Sequence, residues 1–163
     1  MYIGKIVSSS SHVAYVCQIT NRSEAAEVPK PQDYGFGTFV AVERSDGSHL
    51  VGVISDTTLL NPEFGNLGPR LSPRADLSVF SPDLIEECST LVAVTILGSV
   101  TADAVPIQGV PPIAAEIGAP VRRLETHEVV AFHANASGVG LGYVSLLSSL
   151  ASPLAQRQAR SFN

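Results

Sequence analysis

The chain has 163 residues, a formal net charge of −5 and 45% hydrophobic residues. This composition indicates one folded domain and argues against intrinsic disorder. Its acidic balance argues against broad binding to phosphate backbones, which depends on Lys and Arg. The apolar share predicts instead that part of the surface is covered by a second copy or another partner.

Targeting signals and cysteine motifs are absent from the sequence. No apolar run reaches the roughly 18 to 20 residues of a bilayer-spanning helix, and the N-terminus lacks the order of regions that defines a signal peptide. We therefore expect a cytoplasmic protein. Cys17 and Cys88 form no C-x-x-C pair, so we expect two buried or idle thiols and neither a disulfide framework nor a zinc ribbon.

The first half of the chain reads as short strands separated by polar or Pro/Gly-rich breaks. Tyr2–Val7 is the first strand, and His12–Thr20 is a second strand with one drier face made by Val13, Tyr15, Cys17 and Ile19. Residues 21–36 predict an exposed connection. An Asp-Gly pair between two alternating runs then predicts an antiparallel hairpin of Thr38–Glu43 with His49–Ser55.

The second half begins with a Pro/Gly-rich excursion at residues 61–81, which is a candidate contact surface. A short helix from Ser81 to about Glu87 follows, because serine, proline and an acidic residue stand where a helix starts. Thr90–Val100 predicts a central strand with two apolar faces. The remaining predictions are an extended connection over Val105–Pro120, a helix over Val121–Phe132, a final strand over Leu141–Leu147 and a loosely held tail.

These elements predict a mainly β fold: a small closed or nearly closed antiparallel barrel with one or two short helices and a Pro/Gly-rich C-terminal extension. We expect a barrel domain over residues 1–103. Residues 104–147 would form a crossover, short helix and final strand packed on the barrel, and residues 148–163 would form a flexible tail.

No catalytic pattern stands out in the sequence. The phosphate-binding loop G-x-x-x-x-G-K-[ST] and the nucleophile elbow G-x-S-x-G are both missing, and Gly138–Gly142 has the wrong spacing for a dinucleotide fingerprint. The four histidines lack metal-ligand spacing. We therefore expect a non-enzymatic chain without a cofactor or metal.

Several segments, taken in order, resemble the N-terminal barrel of the HerA-type hexameric DNA translocases, the barrel named jointly for HerA and ATP synthase. The matching segments are Met1–Val7, Gly37–Glu43 as a G-x-[FY]-V strand, Leu50–Ile54, the Pro-Pro crossover Val110–Ile113, Gly118–Arg122 and Gly140–Val144. The resemblance covers most of residues 1–147. Where that family continues into a phosphate loop and an ATPase core, this chain has a serine-rich tail containing Arg157 and Arg160.

Of the functions of that family, the resemblance therefore implies only the role of the barrel for this chain. In the family it helps neighbouring subunits assemble and offers a docking face to partners such as a nuclease. The resemblance implies an oligomerisation and interaction module that binds a second copy of itself, a separately encoded ATPase or a nuclease. We do not expect direct nucleic-acid binding. The candidate partner contacts are Phe64, Arg70, Arg74, Arg122 and Arg123. Solvated surface is the alternative reading of the arginines.

A second hypothesis is a small barrel enzyme or a flavin- or nucleotide-binding protein, with the 61–81 excursion closing over a pocket. A nucleic-acid-binding barrel is a third, and it predicts an affinity that falls steeply with salt.

Overall fold

A computed structural model describes residues 1–21, 28–60, 89–135, 138–145 and 147–148. These residues contain the α-helix α1 (Thr126–His133), a short 3-10 helix at Pro31–Asp33 and helical turns at residues 144–145 and 147–148. Their strands are β1 (Tyr2–Ser9), β2 (Ala14–Ile19), β3 (Phe39–Glu43), β4 (His49–Leu60), β5 (Ser89–Val100), β6 (Pro106–Gln108), β7 (Pro120–Arg123), β8 (Ala134–Asn135) and β9 (Gly138–Val139). Within the described ranges, no helix has the length and apolar character that a bilayer crossing requires.

Six strands close into an antiparallel barrel in the order β1, β7, β3, β4, β5, β2, and β2 returns to pair with β1. The pairing of β2 with β5, from Ala14 opposite Thr95 to Gln18 opposite Leu91, completes the ring. Closure removes the free edges that an open sheet would expose. β6 is an additional strand on the far end of β5. The predicted mainly β, closed antiparallel barrel is confirmed.

The barrel interior is filled by alternate residues of its strands, as a period of two requires. On β2, Tyr15, Cys17 and Ile19 are buried, which confirms the predicted drier face. Cys17 is buried as expected, and burial raises the pKa of its thiol to about 12. Cys88 lies outside the described residues. The largest fully buried side chains of this inner core are Ile3, Ile6, Val40, Val42, Leu50, Ile54, Val92, Val94, Ile96 and Val121.

A second, outer core lies between the barrel wall and α1. Ala41, Val51 and Leu97 point away from the interior on three neighbouring strands, since their sequence neighbours Val42, Leu50 and Ile96 point inward. They pack against three residues from α1 and its flanking segments: Leu124, Phe132 and Tyr143. One face of the barrel is thus covered by the chain itself.

Two glycines meet local requirements, one of backbone angle and one of space. Gly47 has φ of +81° in the turn between β3 and β4, and the Ser48 N–H donates to Asp46 Oδ1 at 2.9 Å, so the predicted Asp-Gly hairpin is confirmed. Gly98 lies where β5 meets β6, and a Cβ there would come within 2.2 Å of the Ile107 carbonyl oxygen. This close approach lets β6 join the sheet.

The second half of the chain corrects several predictions. Residues 121–123 of the predicted Val121–Phe132 helix belong to β7, because they pair with β1 and β3, and the helix begins only at Thr126. The barrel therefore extends past residue 103 to include β7. The predicted Leu141–Leu147 strand is also wrong, since Val144 N–H donates to the Leu141 carbonyl and Leu147 N–H to the Tyr143 carbonyl, as in helical turns.

The predicted extended connection over Val105–Pro120 contains β6 and a structured crossover. The excursion at residues 61–81, the helix from Ser81 to Glu87 and nearly all of the predicted tail lie outside the described residues.

Candidate functional site

The segment between β6 and β7 closes one end of the barrel. Residues 109–119, which we call the crossover cap, contact the β1–β2 turn through His12 and the β3–β4 turn through Arg44. The Ala115 side chain packs against the inner core from above. At the opposite end, Tyr34 packs against the same core from the β2–β3 connection. The barrel is therefore filled with side chains and closed at both ends.

The underside of the crossover cap is held by side chains that project from the barrel. His12 Nε2 lies 2.6 Å from the Pro111 carbonyl oxygen, which can only accept, so this nitrogen carries the proton. The Ala115 N–H donates to the buried Tyr15 hydroxyl at 3.0 Å. Both contacts join residues about 100 positions apart in the sequence, and they fix the path of the cap over the barrel.

Arg44 and the main chain complete this attachment. Arg44 Nη2 donates to the carbonyl oxygens of Ile113, at 2.6 Å, and Ala114, at 3.3 Å. Ile6 exchanges backbone hydrogen bonds with two consecutive residues at the end of a tight turn, accepting from Gly118 N–H at 2.8 Å and donating to the Ala119 carbonyl at 3.0 Å. The cap is therefore a fixed part of the barrel.

The outer side of the cap is apolar and exposed. Val110 is 57% exposed, Ile113 is 62% exposed and Ile117 is 71% exposed. Each is β-branched, so its side chain has few rotamers to lose when another surface covers it. A fixed backbone that presents stiff apolar side chains is suited to binding another protein surface.

A cleft of about 460 Å³ separates the cap from the β3–β4 turn. Its apolar wall comes from Ile113, Ala114, Ile117, Ala119 and Pro120, and its rim carries Glu43, Asp46, Glu116 and Arg44. Ser48 donates hydrogen bonds to Asp46 and lowers the pKa of this carboxyl, which therefore stays charged. Three carboxylates and one guanidinium line this rim, so its net charge is negative.

The chemistry of this cleft favours binding over bond making. Its lining contains Ser45 but no histidine or cysteine, so the hydroxyl has no neighbouring base to activate it. More widely, the described ranges contain no group of three or more His, Cys, Asp or Glu side chains placed to hold a metal ion. The arrangement could accept a ligand that is apolar and cationic.

Arg122, a predicted partner contact, is used inside the molecule. Its Nη1 and Nη2 donate to both carboxylate oxygens of Glu128 at 2.9 and 2.8 Å, and its Nε donates to Glu43 Oε1 at 2.8 Å. Arg122 lowers the pKa of Glu128 to about 2 by these hydrogen bonds, and they raise the pKa of Arg122. The Tyr2 hydroxyl donates to Glu43 Oε2 at 3.0 Å. This network joins α1 to the barrel wall.

A smaller cavity of about 170 Å³ lies between α1 and the barrel, next to this network. His49 and His127 are among its lining residues, together with Val51 and Phe132. Burial lowers the pKa of His49, and the nearby Arg122 charge lowers it further. A neutral imidazole in a mostly apolar cavity is consistent with a packing role.

The other predicted contacts have different positions. Arg123 is 47% exposed at its side chain and donates to Asp33 Oδ1 at 3.1 Å. Phe64, Arg70 and Arg74 lie outside the described residues. The residues that hold the cap, His12, Tyr15 and Arg44, were not identified from sequence, because their partners are carbonyl or amide groups about 70 to 100 positions away. The Pro-Pro motif of the crossover is the sequence feature that points to this surface.

Comparisons with known proteins place the chain in one family. A search of curated proteins finds no match. A family profile described as "Domain of unknown function (DUF8166)" matches residues 1–161. The match spans nearly the whole sequence, and the chain therefore belongs to the DUF8166 family.

Proposed function

We propose that this protein is a non-catalytic interaction and oligomerisation module that associates through the crossover cap. The observation that carries the proposal is the contrast between the two sides of the cap. Its underside is fixed by His12, Tyr15 and Arg44, while its outer side exposes Val110, Ile113 and Ile117. Exposed apolar groups on fixed backbone gain more on burial than groups that must first be ordered.

The resemblance to the HerA-type barrel supports the same proposal. The crossover segment that carries the Pro-Pro match is the one that closes this barrel and exposes its apolar residues. By that resemblance, the partner is a second copy, a separately encoded ATPase or a nuclease in DNA processing. The sequence pattern favours a cytoplasmic location, and the net charge of −5 argues against direct contact with nucleic acid.

Molar mass by light scattering over a wide concentration range tests the proposal, with a lysate pull-down alongside. We expect a mass above that of one chain, or stoichiometric capture of a defined partner. A strict monomer at high concentration that captures no protein would contradict the proposal.

The cleft supports a second candidate function, a small-ligand binder, because about 460 Å³ is within the usual size of a ligand site. A ligand of the folded state must raise the melting temperature by mass action. Thermal-shift and native mass spectrometry screens against flavins, nucleotides and metal ions would detect it. A screen without a hit would remove this candidate.

A further inference from the structure

The charges of this chain are unevenly distributed along its sequence. All 15 acidic residues lie before residue 129, whereas the charged residues after it are Arg157 and Arg160. The segment 152–163 also contains Leu154 and Phe162, so it combines two positive charges with apolar side chains. The body is therefore strongly acidic, and the C-terminal segment has the opposite sign.

The cleft beside the cap has the complementary character. Its wall is apolar, with Ile113 and Ile117 exposed, and its rim carries Asp46 and Glu116. The Arg44 guanidinium keeps its positive charge while it donates to the Ile113 and Ala114 carbonyls, but the carboxylates of the rim outnumber it. An arginine-bearing apolar segment can therefore cover the wall while its guanidinium groups meet the carboxylates.

A symmetric contact between two caps is electrostatically unfavourable. In an isologous pair the same patch lies on both sides of the interface, so the net negative charge of this rim would face the same net charge on the second molecule. Like charges brought together at an interface disfavour the complex. A heterologous contact, in which the cap of one copy meets a different part of the next, avoids this repulsion.

We propose that the cleft binds residues 152–163 of a second copy of this chain, so that copies associate head to tail. This inference rests on the proposed self-association and names the segment that the cap receives. Leu154 and Phe162 cover the wall formed by Ile113 and Ile117. Arg157 and Arg160 meet the rim carboxylates of Asp46 and Glu116. The bound segment neutralises an acidic rim that would otherwise repel a second cap.

A complementation experiment with the full chain tests this inference. One variant, Glu116→Arg, alters the cleft and keeps the tail; the other, Arg157→Glu with Arg160→Glu, alters the tail and keeps the cleft. We expect each alone to associate about tenfold more weakly than the wild type, because each charge reversal turns an attraction between the tail and the cleft into a repulsion. An equimolar mixture should regain the association of the wild type, since the tail of the first variant meets the intact cleft of the second and the altered tail of the second meets the altered cleft of the first.

Controls separate the possible failures. Asp103→Arg, an exposed charge reversal outside the cleft lining, should keep the wild-type mass. Combining all three substitutions in one chain should restore self-association with the charges exchanged. A wild type that assembles while both variants keep its mass would overturn the tail assignment and leave the self-association proposal intact. A wild type that stays monomeric at every concentration would overturn both.

Discussion

The barrel wall and the barrel end are covered in different ways. Along the wall, α1 covers Ala41, Val51 and Leu97 with Phe132 and its neighbours, so the apolar surface disappears inside the chain. At the end, the crossover cap is equally well attached but leaves Val110, Ile113 and Ile117 exposed. The first arrangement stabilises the fold. The second leaves a fixed apolar surface that no other described residue covers, which is why we assign association to it.

A substitution in the outer core beneath α1 should have the largest effect on the free energy of unfolding. Phe132→Ala removes a ring buried between α1 and the strands, and we expect it to lower the free energy of unfolding by about 3 to 5 kcal/mol. Val130→Ala, on an exposed position of the same helix, should change it by less than about 0.5 kcal/mol. Urea denaturation measures both. Equal effects would contradict the assignment of an outer core beneath α1.

The ion pairs that join α1 to the wall predict a pH dependence. Glu128→Gln should cost about 1 to 3 kcal/mol at pH 6, because Arg122 loses its charged partner. The pKa of Glu128 is lowered from 4.5 to about 2 by its hydrogen bonds with Arg122, so its contribution is fully present above pH 4.5 and is lost as the pH falls towards 2.

The difference in unfolding free energy between the wild type and Glu128→Gln should therefore shrink between pH 6 and pH 3. Asp103→Asn, an exposed acidic position that takes no part in the ion pairs of Arg122, serves as the control and should show a small difference at both values. A gap between wild type and Glu128→Gln that stays constant with pH would show that the ion pair is not the cause.

Removal of one hydrogen bond beneath the crossover cap should have a smaller effect on stability. Tyr15→Phe removes the acceptor of the Ala115 N–H, and we expect a loss of about 0.5 to 1.5 kcal/mol. Hydrogen exchange at the Ala115 amide should become faster, while exchange at the Val94 amide, in the middle of β5, should change only as far as global stability does. Unchanged exchange at Ala115 would mean that this bond does not hold the cap.

The sequence predicted the barrel well where local pattern and tertiary structure agree. β2 alternates strictly over Tyr15, Cys17 and Ile19, and the Asp-Gly turn fixes the register of β3 with β4. β7 was missed because its four residues are extended only through pairing with β1 and β3, which an isolated reading of Val121–Phe132 cannot detect. β6 was missed because it starts at Pro106 and has only three residues.

The candidate site was predicted less completely than the fold. The sequence indicates Arg122 and Arg123 as a cationic pair for partner contact, but it does not show that Arg122 faces Glu128 and Glu43. The sequence identifies the Pro-Pro crossover but does not predict that it lies over the barrel end. That position depends on contacts with His12, Tyr15 and Arg44. Hydrogen bonds from side chains to distant backbone groups leave no periodic signal.

The molar masses of matched surface variants test whether the crossover cap is the surface of association. Ile113→Ser with Ile117→Ser removes apolar groups from the cap, and Val130→Ser with Val139→Ser removes exposed groups elsewhere. Both pairs should change the unfolding free energy little, because all four side chains are exposed. We predict that light scattering shows loss of the assembled species for the cap pair alone. Assembly that survives in the cap pair at the wild-type concentration would contradict the account.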